Sequence, residues 1–250
     1  SGALLLWTLL ARRKRSRAKA GNWAGALALT VYAAAFSFAY IQLDTGVGAL
    51  LLFGAVQLSM LLFGLLRGER LGAAATAGLI LAMAGVVALL LPGSSAPPLM
   101  SSLVMLLSGL AWGAYSLLGR STRDPLASTA DNFLRSIPLV LLAALPFLDQ
   151  VHWDTTGALL AVLSGAVTSG LGYALWYSAL RGLGSIQAAS IQLSVPILAA
   201  AAGMLLFSEP LTPRVLIAAA AVLGGLALVL KAHTQKPIPP AITPVATGRR

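Results

Sequence analysis

The chain reads as an all-α integral membrane protein, an inverted repeat of two five-helix units in which the first helix and part of the second are missing. Three observations predict this class. Of 250 residues, 58% are hydrophobic and only 10% charged, a composition suited to a chain whose solvent is mostly lipid. The apolar residues fall in runs of about 20, the length needed to cross a bilayer core as a helix. Finally, Gly68-Glu69-Arg70-Leu71 is echoed in the second half of the chain by Ser208-Glu209-Pro210-Leu211, and the same offset brings Gly85 into register with Gly225. Acids are scarce in this chain, so the paired glutamates weigh more than matching leucines would.

Taken in order, residues 1–11 are apolar but too short to cross, and they run directly into Arg12-Arg13-Lys14-Arg15. They are expected to be the second half of a severed helix. They do not fit a signal peptide, because the basic block follows the apolar stretch. Further spans of the first repeat (1–92) are expected near 22–41, 46–66 and 72–91. The second repeat (99–231) is expected to hold helices near 99–118, 127–147, 155–177, 185–207 and 213–231. Asp124 and Pro125 are placed to cap and open the helix near 127–147. Residues 232–250, ending in a Pro- and Thr-rich stretch without apolar periodicity, are expected to form a disordered cytoplasmic tail.

The basic residues fix a layout, because cytoplasmic loops carry the excess of Lys and Arg. The block at 12–19, Arg67, Arg70, Arg120, Arg123, Arg181 and the tail all fall on one side. The other side keeps Arg214 alone, with Asp44, Asp149, Asp154 and Glu209. The net charge of +10 is thus accounted for by orientation and points away from a nucleic-acid partner. Glu69 falls on the cytoplasmic side and Glu209 on the exterior side, so the repeats are expected to be inverted. An odd number of helices per unit requires this, and the same arithmetic leads to the expectation that roughly 40 residues are absent before Ser1.

The segment Gly109-Leu-Ala-Trp112-Gly113-Ala-Tyr115, the Asn132-Phe-Leu-Arg135 element, Tyr173-Ala-Leu-Trp176-Tyr177, the helix containing Pro196 and the two Glu-x-Leu turns resemble the EamA family of the drug/metabolite transporter superfamily. The resemblance covers nearly the whole chain. It implies the ten-helix transporter fold and a multi-pass protein of the bacterial inner membrane, whose C-terminus the charge layout puts on the cytoplasmic side. It also implies export of amino acids or related metabolites. The departure is at the N-terminus, where the family's first-helix Trp-Gly element would lie.

Several residues are candidates for chemistry. Arg135 lies about 15 Å into its helix at 1.5 Å per residue, near the bilayer midplane. An unpaired charge there costs about 3 kcal/mol. Asp131, one turn earlier, is the natural partner. The pair is either a structural ion pair or a site in which Arg135 attracts a substrate carboxylate and Asp131 titrates as a coupling group. Glu69 and Glu209 each precede a helix, where a carboxylate accepts orphan N–H groups, so they are capping or gating residues. Tyr32, Phe36 and Tyr40 share one helix face, as do Ser108, Trp112 and Tyr115, and aromatic faces with hydroxyls suit amphipathic organic ligands. Gln57, Trp176, and the stripe Gln187, Ser190 and Ser194 complete the candidate substrate-binding set, with helix packing as the competing role for each.

The two histidines lie in a loop and the tail, there is no cysteine, and no Ser-His-acid set or glycine-rich nucleotide loop is present. Neither metal, cofactor nor enzymatic chemistry is expected. The expected function is secondary active transport of a small amphipathic metabolite, an amino acid or a relative, with membrane lipid as the other partner. The alternative is a non-transporting assembly or structural subunit, and an intramembrane enzyme ranks below both.

Overall fold

The structure, a computed structural model, describes residues 21–68, 71–93, 96–119, 124–150, 154–172, 175, 192 and 194–234. The described residues form helices and turns, with no strand among them. In chain order the helices are α1 (Trp23–Ala39), α2 (Thr45–Leu66), α3 (Ala73–Leu90), α4 (Leu99–Gly119), α5 (Pro125–Ala144), α6 (Thr155–Val162), α7 (Ser194–Phe207) and α8 (Pro213–Thr234).

Local chemistry sets several helix starts. Asn22 Oδ1 accepts the Gly25 N–H at 2.7 Å to open α1, and Asp124 accepts the Ala127 N–H at 3.1 Å ahead of Pro125, as the sequence predicts for α5. Asp154 opens α6 by accepting the Gly157 N–H at 2.6 Å, and Thr212 opens α8 by accepting the Val215 N–H at 3.3 Å. Two boundaries differ from expectation. The helix expected near 127–147 tightens into a 3₁₀ segment over Leu145–Gln150, where Pro146 supplies no N–H to continue the α ladder. The span expected near 155–177 stays α-helical only to Val162 and then widens into a π-helical stretch, Leu163–Leu171.

Among the described residues, five helical stretches are long and apolar enough to cross a membrane: Thr45–Leu66, Ala73–Leu90, Leu99–Gly119, Leu126–Asp149 and Pro213–Ala232. Trp23–Ala39, Thr155–Ser169 and Ser194–Phe207 are apolar but shorter over the described residues. Large side chains such as Ile80, Leu141, Ile217 and Leu205 stand exposed on the outer faces, as lipid contact requires. The protein is an all-α, multi-pass membrane protein.

Residue pairs across each helix contact give its direction. Gly109 packs on Leu52 and Ala55 while Gly113 packs on Val56 and Ser59, so α4 and α2 run parallel. Ser108 bonds the Tyr32 carbonyl and Ser101 bonds Gln42, so α4 and α1 run antiparallel. Asn132 meets Asn22 and Ser136 meets Ala26, making α5 and α1 parallel. All three directions match strict up-and-down alternation of the helices.

Among the described residues, a close crossing joins α3 and α8. A Cβ on Gly225 would overlap the Gly78 carbonyl oxygen, and one on Gly78 would overlap the Gly225 carbonyl. One on Gly85 would stand 3.0 Å from the Ala218 carbonyl. The crossing is antiparallel, and it is reciprocal under the sequence offset that carries Glu69 to Glu209. That offset also carries Gly85 to Gly225 and Gly78 to Ala218. It appears again in the turns, where Gly68 (φ 87°) and Ser208 (φ 56°), the positive-φ residues among those described, are equivalent positions. Around the crossing lies the apolar core, in which Leu50, Leu51, Leu89, Met105, Val222 and Leu226 are almost fully buried.

Candidate functional site

An unbroken run of rings joins α4 to α1. Tyr115 and Trp112 lie 5.5 Å apart between centroids, Trp112 and Tyr32 4.7 Å, Tyr32 and Phe36 5.8 Å, and Phe36 and Tyr40 4.7 Å. The spacing of these residues puts them on one face of each helix, and the α1–α4 contact turns the two faces together. The structure therefore unites Tyr32, Phe36, Trp112 and Tyr115, which the sequence placed on separate helices. All are tilted or edge-on, the favourable geometry for aromatic pairs.

Polar groups border this run. The Tyr115 hydroxyl donates to Thr129 Oγ1 at 2.9 Å, and Ser108, itself fully buried, donates to the Tyr32 carbonyl at 2.9 Å. Thr129 belongs to a buried stripe on α5 that continues through Asn132 and Ser136. Asn132 Oδ1 accepts the Asn22 N–H at 2.9 Å, and its side chain occupies a notch that exists because Gly21 and Gly25 have no Cβ. Ser136 donates to the carbonyls of Ala26 (3.2 Å) and Asn132 (2.8 Å). Sequence reasoning missed this stripe as a unit, although the spacing of 129, 132 and 136 is helical and its residues are polar within an apolar span.

Arg135 Nε and Asp131 Oδ2 form the expected ion pair at 3.0 Å. The guanidinium also stands 5.4 Å from the centroid of the Trp23 ring. Both side chains remain partly exposed, 34% for Arg135 and 27% for Asp131, and their helix positions lie beside the buried stripe and not on it. Gln57 is half-buried on α2, whose neighbouring Gly54 faces Val86 and Val222. Ser194 is half-buried in α7. Trp176, Gln187, Ser190 and Glu69 lie outside the described residues.

Glu209 is a cap, but for a helix other than the one it precedes. Its carboxylate accepts the Thr45 N–H at 2.9 Å and 2.8 Å to its two oxygens, and the Thr45 hydroxyl at 2.6 Å. It therefore closes the N-terminus of α2, far away in the chain, while Thr212 serves α8. Gly203 makes this possible, since a Cβ there would overlap the carboxylate. Tyr40 donates to the Thr45 carbonyl at 3.2 Å, its ring seated against Gly48. Asp44, at the N-cap position of α2, makes no capping bond of its own. Burial, and then the negative charge of Glu209, hold the Asp44 carboxyl above the usual carboxylate range.

Residues 99–231 match the EamA-like transporter family. An uncharacterized protein of Pseudomonas aeruginosa is 62% identical over 231 residues, which cover 92% of this chain and 80% of the relative. An uncharacterized transporter of Archaeoglobus fulgidus is 26% identical over 215 residues, covering 83% of this chain and 75% of that one. A crystal structure of another protein, at 22% identity, superposes with a TM-score of 0.64 over 93% of this chain and 85% of its own, a likeness of fold. By the extent of the family match and by the identity to its Pseudomonas relative, this chain belongs to the EamA-like transporter family.

Proposed function

We propose that the protein is a secondary active carrier that moves a small amphipathic metabolite by alternating access of two inverted repeats. The observation that carries the reading is the reciprocal, antiparallel crossing of α3 and α8 through positions that the sequence repeat makes equivalent. A contact in which residue i meets j while the equivalent of j meets the equivalent of i is what a two-fold axis produces. An axis between antiparallel helices lies in the membrane plane, as inverted-topology carriers require. The shared left-handed turn at Gly68 and Ser208 supports the same reading.

The ring run from Tyr115 to Tyr40 supports an amphipathic substrate, because ring faces take apolar surface and the tyrosine hydroxyls give the run polar edges. Arg135 and Asp131 satisfy each other in this state. They would serve a substrate carboxylate or a coupling proton only after separating. Amino-acid export from the bacterial inner membrane, with the C-terminus cytoplasmic, is the substrate and setting that fit the family resemblance.

Counterflow into proteoliposomes with a panel of labelled amino acids tests this. Saturable exchange for at least one, reduced by Trp112→Ala or Tyr32→Ala at unchanged thermal stability, is the expected result. Absence of exchange across the panel, with no ligand raising the Tm in detergent, would refute the substrate class.

A further inference from the structure

Three features of the α2–α7 seam belong together. First, α7 packs chiefly on α2, and it does so through small residues: Gly46 has no room for a Cβ because Ala200 Cβ would stand 2.8 Å away. Second, the end of that seam is held by one side chain, Glu209, whose carboxylate takes three hydrogen bonds from Thr45. Third, Asp44 stands at the position from which a helix is ordinarily capped by its own preceding residue, in extended backbone (φ −61°, ψ 149°), yet it leaves the task to Glu209. A local cap is the shorter route and orders no second helix.

We propose that Glu209 and Asp44 exchange as the cap of α2: with Glu209 bound, α7 is latched to α2 and this end of the bundle is closed, and with Asp44 bound, the seam parts. The exchange makes opening inexpensive. Breaking the Glu209 bonds would otherwise leave the N-terminus of α2, beginning with the Thr45 N–H, without a side-chain acceptor. Asp44, at the N-cap position, compensates by accepting from the Gly46 or Val47 N–H without any long-range movement. Repulsion between the two carboxylates, which adds to burial in raising the Asp44 carboxyl, works against the closed form. Among the described residues the ion pair formed is that of Arg135 with Asp131, so no salt bridge there pins Glu209 shut. The latch rests on the alternating-access reading above, but it is measurable without a substrate.

The chain contains no cysteine, so spin labels can be placed at Ile41→Cys and Leu206→Cys, both largely exposed at this end, with no background. Pulsed electron–electron resonance in nanodiscs then reports the separation of the two sites. Glu209→Gln, which keeps the shape and removes the charge, should raise the weight of a longer-distance population about fivefold, since charge-assisted bonds are roughly twice as strong as neutral ones. Asp44→Ala should lower it by a similar factor, because it removes both the substitute cap and the repulsion. Thr45→Val, which keeps the N–H and loses the hydroxyl, should move the distribution as Glu209→Gln does and decides the matter if that variant does not fold. Opposite signs for positions 44 and 209 separate a latch from general loosening. Identical distributions in all variants, or a shift of the same sign at both positions, would overturn the proposal. A failure of counterflow with the distance shifts intact would count against the transport reading alone.

Discussion

Adding one methyl group at either of two adjacent glycines of α8 should have opposite effects. At Gly225 a Cβ would overlap the Gly78 carbonyl and stand 2.6 Å from the Ala82 nitrogen and 3.0 Å from the Ala82 Cβ. Two of these are backbone atoms, which cannot swing aside, so α3 and α8 must separate. Overpacking of this kind costs about 1–3 kcal/mol, and the crossing sits among Leu89, Val222 and Leu226, none more than 2% exposed. At Gly224, a Cβ meets nothing within 4 Å. Gly224→Ala should therefore be neutral or gain up to about 1 kcal/mol from reduced backbone entropy. The expected gap between the two variants is about 1–4 kcal/mol, or roughly 2–16 °C in Tm at the sensitivity usual for a chain of this size. Thermal unfolding of both in the same detergent, followed by tryptophan fluorescence and by recovery of the folded peak on gel filtration, measures it. If Gly225→Ala melts with Gly224→Ala, the close crossing is wrong, and with it the reciprocity that supports the inverted repeat.

Removing the Asn132 side chain with Asn132→Ala leaves the Asn22 N–H without its partner and a void beside Gly21 and Gly25, so the Tm in detergent should fall, at a cost of about 1–3 kcal/mol. The raised Asp44 carboxyl means that the folded state holds this proton more tightly than the unfolded chain does. Ionising Asp44 therefore costs stability, a cost that develops as pH rises from the ordinary carboxylate range through the raised value and persists at neutral pH. Asp44→Asn should raise the Tm at pH 7, and the gain should vanish on acidification below the carboxylate range. The offset that pairs Glu69 with Glu209 also pairs Thr45 with Ser185. Double-mutant cycles on denaturation should therefore give coupling energies of the same sign for Glu209 with Thr45 and for Glu69 with Ser185, and no coupling for Glu69 with Thr45.

What could be read in the sequence was whatever depends on one helix at a time. Apolar runs set α2, α3, α4 and α8 because a bilayer-length stretch has few other fates. Asp124 with Pro125 marks the start of α5, and Asp131 with Arg135 pairs within one turn, so both needed only local geometry. The sequence offset also held information on the packing between helices, since Gly85 and Gly225 stand out in register from the sequence and both prove to lie in the α3–α8 crossing. Glu209 shows where such reading stops. A carboxylate just before a helix is the ordinary sign of a cap for that helix, and only the packing of α7 on α2 brings Thr45 within its reach. Asn132 is similar, because its notch is built by Gly21 and Gly25, which belong to the start of α1 and come together with α5 only when the two helices pack. The change to π-helical geometry after Val162 had no sequence signal, since Gly, Ser and Ala in that stretch are compatible with either helix.

Arg214 gains a new meaning from its partners. In the charge layout it is the one base on the acidic side, an exception to the asymmetry that orients the chain. In the folded protein its Nε donates to the Ala88 carbonyl at 3.2 Å and its Nη2 to the Leu91 carbonyl, with Gly93 giving it room. These carbonyls end α3, where the helix dipole is negative and the last oxygens lack N–H partners. The guanidinium is therefore a rivet between the ends of α3 and α8, its charge absorbed by backbone dipoles. A cation held in this way needs no carboxylate partner, because the carbonyls at the end of α3 supply the negative ends that balance it.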